Sequence, residues 1–124
     1  IIRFRGKRTD NGEWEYGSLY VPSDGVYADI CNKSGDHPVK PETVSQLVCI
    51  SDSGDEIYEG DYIRFPSKTN VIFLVRWDKS TCGFVLRNTE YNSIIGALDI
   101  KKEFPIGNIW DHAVHDGKLF EFED

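Results

Sequence analysis

Arg3, Arg5, Lys7 and Arg8 place four cations in the first eight residues, which hold no acid. Guanidinium and ammonium groups at that density pair with phosphates or carboxylates, so the segment reads first as an anion-binding arm. A second group, His112-x-x-His115 flanked by Asp111 and Asp116, has the residue types of a zinc site. On a helix the two imidazoles would share a face and could grip a metal. Gly117 and the preceding apolar stretch argue against a helix, and no third ligand follows by spacing. The pair reads as part of a solvated tail. A third group, Asp52, Asp55, Glu56, Glu59 and Asp61, has the acids for a divalent cation or an acid–base pair. It lacks the alternating ligands and closing Glu of an EF-hand loop, and reads as a solvated turn face. Within it, Asp61 beside Gly60 suits a turn cap, its carboxylate accepting from nearby backbone N–H groups.

The aromatic residues form a fourth group: Trp14, Trp77, Trp110, Tyr16, Tyr58 and Tyr62. Rings along a groove stack on bases or hold a peptide. Trp77 and Trp110 end apolar stretches and read as core fillers. The hydroxyls of Tyr58 and Tyr62 favour a surface edge. The candidate binding surface is therefore Arg3, Arg5, Lys7, Arg8, Tyr58 and Tyr62. No nucleophile elbow, Walker loop, HExxH or dinucleotide fingerprint occurs in the sequence, so no catalytic residue is assigned. The expectation is a protein that is not an enzyme and takes no metal or cofactor.

Charge decides between the remaining partners. The net charge is −7, and the acids lie beyond the basic start, clustered at 52–61 and 116–124. An acidic surface repels phosphate, which ranks nucleic acid below a protein partner or self-association. Cys31, Cys49 and Cys82 are odd in number and contain no CxxC pair; they read as buried free thiols in a reducing compartment. No apolar run approaches the roughly 20 residues that cross a bilayer. No apolar leader opens the sequence either, and the expected location is the host-cell cytoplasm.

The elements that must hold these residues read as strands. Ile2, Phe4 and Gly6 alternate with Arg3, Arg5 and Lys7, a strand with one solvated face. Asn11-Gly12 signals a type I′ hairpin turn into a partner strand over 14–21. A short strand over 26–30 and a loop over 32–38 follow. In Pro41–Ile50, Pro-Glu-Thr could begin a helix, but Thr43, Val44, Val48 and Ile50 favour a strand, and the segment is taken as one. Five apolar segments come next: Tyr62–Phe65, Val71–Trp77, Gly83–Arg87, Ile94–Leu98 and Ile106–Trp110. That spacing suits an SH3-like barrel. Val71–Trp77 is the expected central strand, with Val71, Phe73, Val75 and Trp77 on one face and Ile72 and Leu74 on the other. Asp99–Glu103 adds a helical turn. The fold class is mainly β, an N-terminal antiparallel sheet over 1–50 joined to a C-terminal SH3-like barrel over 51–124. The basic edge Arg3-Phe4-Arg5 and the acidic tail Glu121–Asp124 are expected to pair, within one chain or between copies of a homo-oligomer.

Three segments together resemble the YopX family of small proteins encoded mainly by phages and prophages. The first is Ile2-Arg3-Phe4-Arg5-Gly6-Lys7-Arg8 with Asn11-Gly12-Glu13-Trp14 and Tyr16-Gly17. The second is Pro41-Glu42-Thr43-Val44 with Gln46, then Asp52, Gly54 and Glu56-Ile57-Tyr58-Glu59-Gly60-Asp61. The third is Ile106-Gly107-Asn108-Ile109. The resemblance implies a mostly β protein with an SH3-like C-terminal half in a mobile-element setting, and it supplies no activity or catalytic residues. Ser45 stands where the family usually has Gly, and the tail after Asn108 departs from the usual Tyr-x-Asn-Pro-Glu ending.

Overall fold

A computed structural model describes residues 2–23, 25–64, 71–91, 93–96, 100–115 and 117–122. They form antiparallel strands and two 3₁₀ turns, with no α-helix among the described residues. The chain divides into two units, residues 1–47 and 48–124.

The first unit holds β1 (Phe4–Lys7), β2 (Trp14–Tyr20), β3 (Ala28–Asn32), β4 (Gly35–Val39) and the start of β5 (Ser45–Ile50). Their order is β4-β3-β2-β1-β5. Between β1 and β2, Arg8 N–H donates to the Glu13 carbonyl at 2.9 Å and Gly12 N–H to the Arg8 carbonyl at 3.0 Å. Of Asn11 and Gly12, only Gly12 has a positive φ, 73°. The connection is thus the longer loop Thr9–Gly12, not the type I′ turn that Asn-Gly predicts. A type I′ turn needs both central residues left-handed, and Asn11 instead spends its carboxamide on the Glu13 N–H. The loop expected over 32–38 is also corrected: Lys33 and Ser34 turn the chain, and β4 runs back along β3. Pro38 is tolerated because β4 ends the sheet, where a missing N–H breaks no ladder. Pro41–Ile50 divides into a 3₁₀ turn, Pro41–Thr43, and then β5. The Thr43 hydroxyl donates to the Lys40 carbonyl at 2.7 Å and accepts the Lys7 N–H at 2.8 Å, tying the turn to β1. Ala28, Ile30 and Val39 form the core, with Phe4, Leu19 and Val44 packed on it.

The second unit continues β5 and adds β6 (Glu56–Tyr58), β7 (Asp61–Arg64), β8 (Ile72–Asp78), β9 (Gly83–Asn88), β10 (Ile94–Gly96), β11 (Gly107–Asn108), β12 (His112–His115) and β13 (Lys118–Glu121). A five-stranded sheet has the order β10-β9-β8-β7-β11, with no pairing of β10 to β11 among the described residues; β12 and β13 form a hairpin. Each of the five apolar segments contributes one strand to that sheet. Phe65, Ala97 and Leu98 lie outside the described residues, as does Asp99 of the expected helical turn, whose remainder is the 3₁₀ turn Ile100–Lys102. Ile57, Ile63, Phe73, Val75, Leu86 and Ile100 make the core.

Three expectations about placement change. Trp77 shares the face of Phe73 and Val75 but is 49 % exposed, because the core ends one row earlier at Val75 and Leu86. Cys82 is exposed in the turn before β9, whereas Cys31 and Cys49 are half-buried. The segment Arg3-Phe4-Arg5 offers no free edge, since β1 lies between β2 and β5. In the tail, Glu121 pairs opposite His112; Glu123 and Asp124 lie outside the described residues.

Candidate functional site

Strand alternation puts Arg5 and Lys7 on one face of β1, opposite Tyr16 and Trp14 of β2. The Arg5 guanidinium lies 4.6 Å and the Lys7 ammonium 5.5 Å from the centre of the Trp14 ring. Arg5 Nε also donates to Ser45 Oγ at 2.9 Å, and the residue is 5 % exposed. The expected solvated face is therefore closed at Arg5. Alternation shows which residues share a face; it cannot show that an indole and a serine from the two flanking strands cover it. Arg8 is bound to Asp10 through two bonds, Nε at 2.9 Å and Nη2 at 2.7 Å. That hydrogen-bonded pair pushes Arg8 up and holds the Asp10 carboxyl below the ordinary carboxylate range. Arg3 and Lys7 are half-buried.

Tyr58 and Tyr62 do not form a surface edge. Tyr58 is 1 % exposed, its hydroxyl donating to Glu56 at 3.0 Å. Its N–H donates to the buried Asp61 carboxylate at 2.7 Å, the turn cap expected of that residue. Gly60, between them, has φ +93°, and a Cβ there would stand 2.5 Å from the Trp110 ring. Tyr62 is 9 % exposed, and burial pushes its phenol up against an opposing pull from Arg76. The two tyrosines belong to the second unit and the basic strand to the first, so the six candidates do not compose one described site.

The acidic group is dispersed. Asp52 and Asp55 are exposed, Asp61 is buried, and Glu59 pairs with Arg76 at 3.1 Å. His112 and His115 sit on β12, where residues three apart point to opposite faces; His112 Nδ1 accepts the Asn108 N–H at 3.3 Å. The expected solvated tail is thus a paired hairpin, and Asp116 lies outside the described residues. Among the described residues no three His, Cys, Asp or Glu side chains are grouped to hold a metal.

Sequence reasoning missed the rim of the five-stranded sheet. There β10 is the end strand, with Ile94 44 % and Ile95 37 % exposed and Gly96 beside them. Ile95 stands opposite Leu86, and the bond from Asn88 N–H to the Ser93 carbonyl, 2.9 Å, fixes the phase of the ladder. Ile95 bonds inward to β9, and the N–H and C=O groups of Ile94 and Gly96 face outward. Next to Ile95 on the same face, Trp77 and Phe84 meet edge to face, centroids 5.2 Å apart at 75°. The other end strands are blunted. β4 has Pro38, β6 has Glu56, β11 is two residues long, β12 has two histidines, and β13 has Lys118 and Glu121. The missed signal was Ser93-Ile94-Ile95-Gly96, a strand with neither charge nor proline.

The family model for YopX protein matches residues 3–114, nearly the whole chain. No curated protein matches it.

Proposed function

The chain belongs to the YopX family, and from that premise we propose that it is a non-enzymatic interaction module that joins a second copy of itself through β10. The observation that carries this reading is the uncharged, exposed end strand Ile94–Gly96, whose outward backbone groups have no strand beside them among the described residues. Two such strands, antiparallel about a two-fold axis at Ile95, set Ile94 against Gly96 of the second copy, and the reverse. Gly96 has no positive φ, and a Cβ on it would meet nothing within 4 Å. This chain's own fold therefore imposes no glycine there, although glycine within a strand costs about 0.5–1 kcal/mol relative to alanine. Close approach of Ile94 from a second copy supplies the reason.

A three-residue edge with its aromatic margin is smaller than a standard interface, so the association is weak, with Kd on the order of micromolar or above. Sedimentation velocity over a concentration series tests it. The expected result is a monomer–dimer equilibrium that survives high salt, because no charge lies on the strand, and that Ile95→Lys abolishes. A monomer at every concentration overturns the reading. We place the protein in the cytoplasm of a host cell as a phage or prophage accessory, and the second unit as an SH3-like roll. Family membership and the run of five short antiparallel strands support these two assignments. The competing reading is single-stranded nucleic acid bound on the β1–β2 face, where Tyr16 is 43 % exposed beside Arg3, Lys7 and Trp14. Affinity that falls steeply with salt, and falls further on Tyr16→Ala, would favour it.

A further inference from the structure

We propose that a cavity on the β7–β8–β9 face, walled by β12, binds a small organic carboxylate. The strand registers set Tyr62 opposite Leu74 and Leu74 opposite Arg87, a row of phenol, isobutyl and guanidinium groups across three strands. Val114 of β12, with Asn88 and Thr89, completes a space of about 270 Å³. No acid lines it.

Two groups in this row stand out. Tyr62 is more than nine-tenths buried, and no described residue gives its hydroxyl a hydrogen-bond partner. Every fully buried side-chain polar atom among the described residues does have a partner, so the Tyr62 oxygen keeps its contact with solvent on the side of the cavity it lines. Arg87 is half-buried on the same wall and makes no ion pair or hydrogen bond among the described residues. A solvent-touching phenol on a largely buried residue and a half-buried cation, both without partners among the described residues, are left for a ligand or water to satisfy. Arg76, two residues from Leu74 on the same face, adds positive potential, although its guanidinium is engaged by Glu59.

The chemistry of the lining selects the ligand. A planar carboxylate matches the guanidinium fork, and the phenol supplies a further donor. Leu74 and Val114 provide apolar contact for the body of the molecule. The volume falls just under the roughly 300–1,000 Å³ of sites for drug-sized ligands, which points to a branched or aromatic acid the size of an amino acid. Binding here does not depend on self-association through β10, and a monomer would bind as well.

Isovalerate and phenylacetate, compared with isovaleramide and phenylacetamide, test the proposal by titration against the ¹⁵N-labelled protein. The expected result is saturable movement of the Leu74, Arg87 and Val114 amides by the acids, with Kd on the order of millimolar, and tenfold or weaker binding of the amides. Arg87→Gln should weaken the acids about tenfold and Tyr62→Phe severalfold, each with an otherwise unchanged amide spectrum as the folding check. Acetyl-Gly-Val with a free C-terminus separates the two sources of such a group. Tighter binding than isovalerate assigns the cavity to a peptide terminus, and weaker binding assigns it to a free acid. Equal affinity for acid and amide, an unchanged Kd in Arg87→Gln, or no saturable shift in the wild type overturns the proposal.

Discussion

Gly60 shows how a single position can carry two constraints. Its φ of +93° suits glycine, and the Trp110 ring occupies the space a side chain would need. A left-handed backbone alone costs an L-residue about 1–2 kcal/mol. Gly60→Ala is expected to lose at least that much in urea denaturation, because the indole must also move. Gly60 and Asp61 were legible as a turn and its cap, since local backbone chemistry dictates both. Arg5 and Tyr58 were not, because burial depends on which distant strand arrives on top. Tyr62 allows a pH test with a fixed sign. Burial raises its folded pKa above the unfolded value near 10. Above that value the unfolded chain releases a proton that the folded chain retains, so the associated stability is intact below about pH 10 and lost as pH rises through the folded pKa. Wild-type stability is expected to fall more steeply above pH 10 than that of Tyr62→Phe.

At the scale of elements, legibility followed the length and regularity of the apolar pattern. β8 and β9 were plain because each holds an unbroken apolar run, Ile72–Val75 and Phe84–Leu86, whose inward members bury on a shared core. Phe73→Ala, which removes a ring from that core, should cost roughly 3–5 kcal/mol in chemical denaturation. β4 was hidden by Gly35, Asp36 and Pro38, residues that mark loops unless the strand lies at a sheet end. The β12–β13 hairpin was hidden for a different reason. Its strands are four residues each and carry charges or imidazoles, too short a pattern to establish a period of two. The 3₁₀ turn Pro41–Thr43 was half legible from Pro41, but its attachment to β1 uses the Thr43 hydroxyl beside the backbone bond from Lys40 N–H to the Lys7 carbonyl. Thr43→Val keeps the shape and leaves the Lys7 N–H and the Lys40 carbonyl without that partner. The expected loss is about 1–3 kcal/mol, read in the same denaturation experiment.

At the scale of the whole molecule, each unit has its own apolar core, one around Ile30 and Val39 and one around Ile63, Phe73 and Val75. Hydrogen exchange should therefore report them separately. Phe73→Ala is expected to speed exchange at Ile63 and Val75 more than at Ile30 and Val39, and equal acceleration in both units would contradict two cores. The candidate binding surface was the least legible feature, because its six residues were chosen by type and the fold distributes them between the two units. The blunted ends of the sheets also limit how the molecule can join others. Proline, charge, histidine or brevity guards every described end strand except β10. On the proposed pairing through β10 the described molecule has a valence of one: a two-fold pair would use both edges at once, leave no described edge to extend it, and stop growth into fibres at two copies.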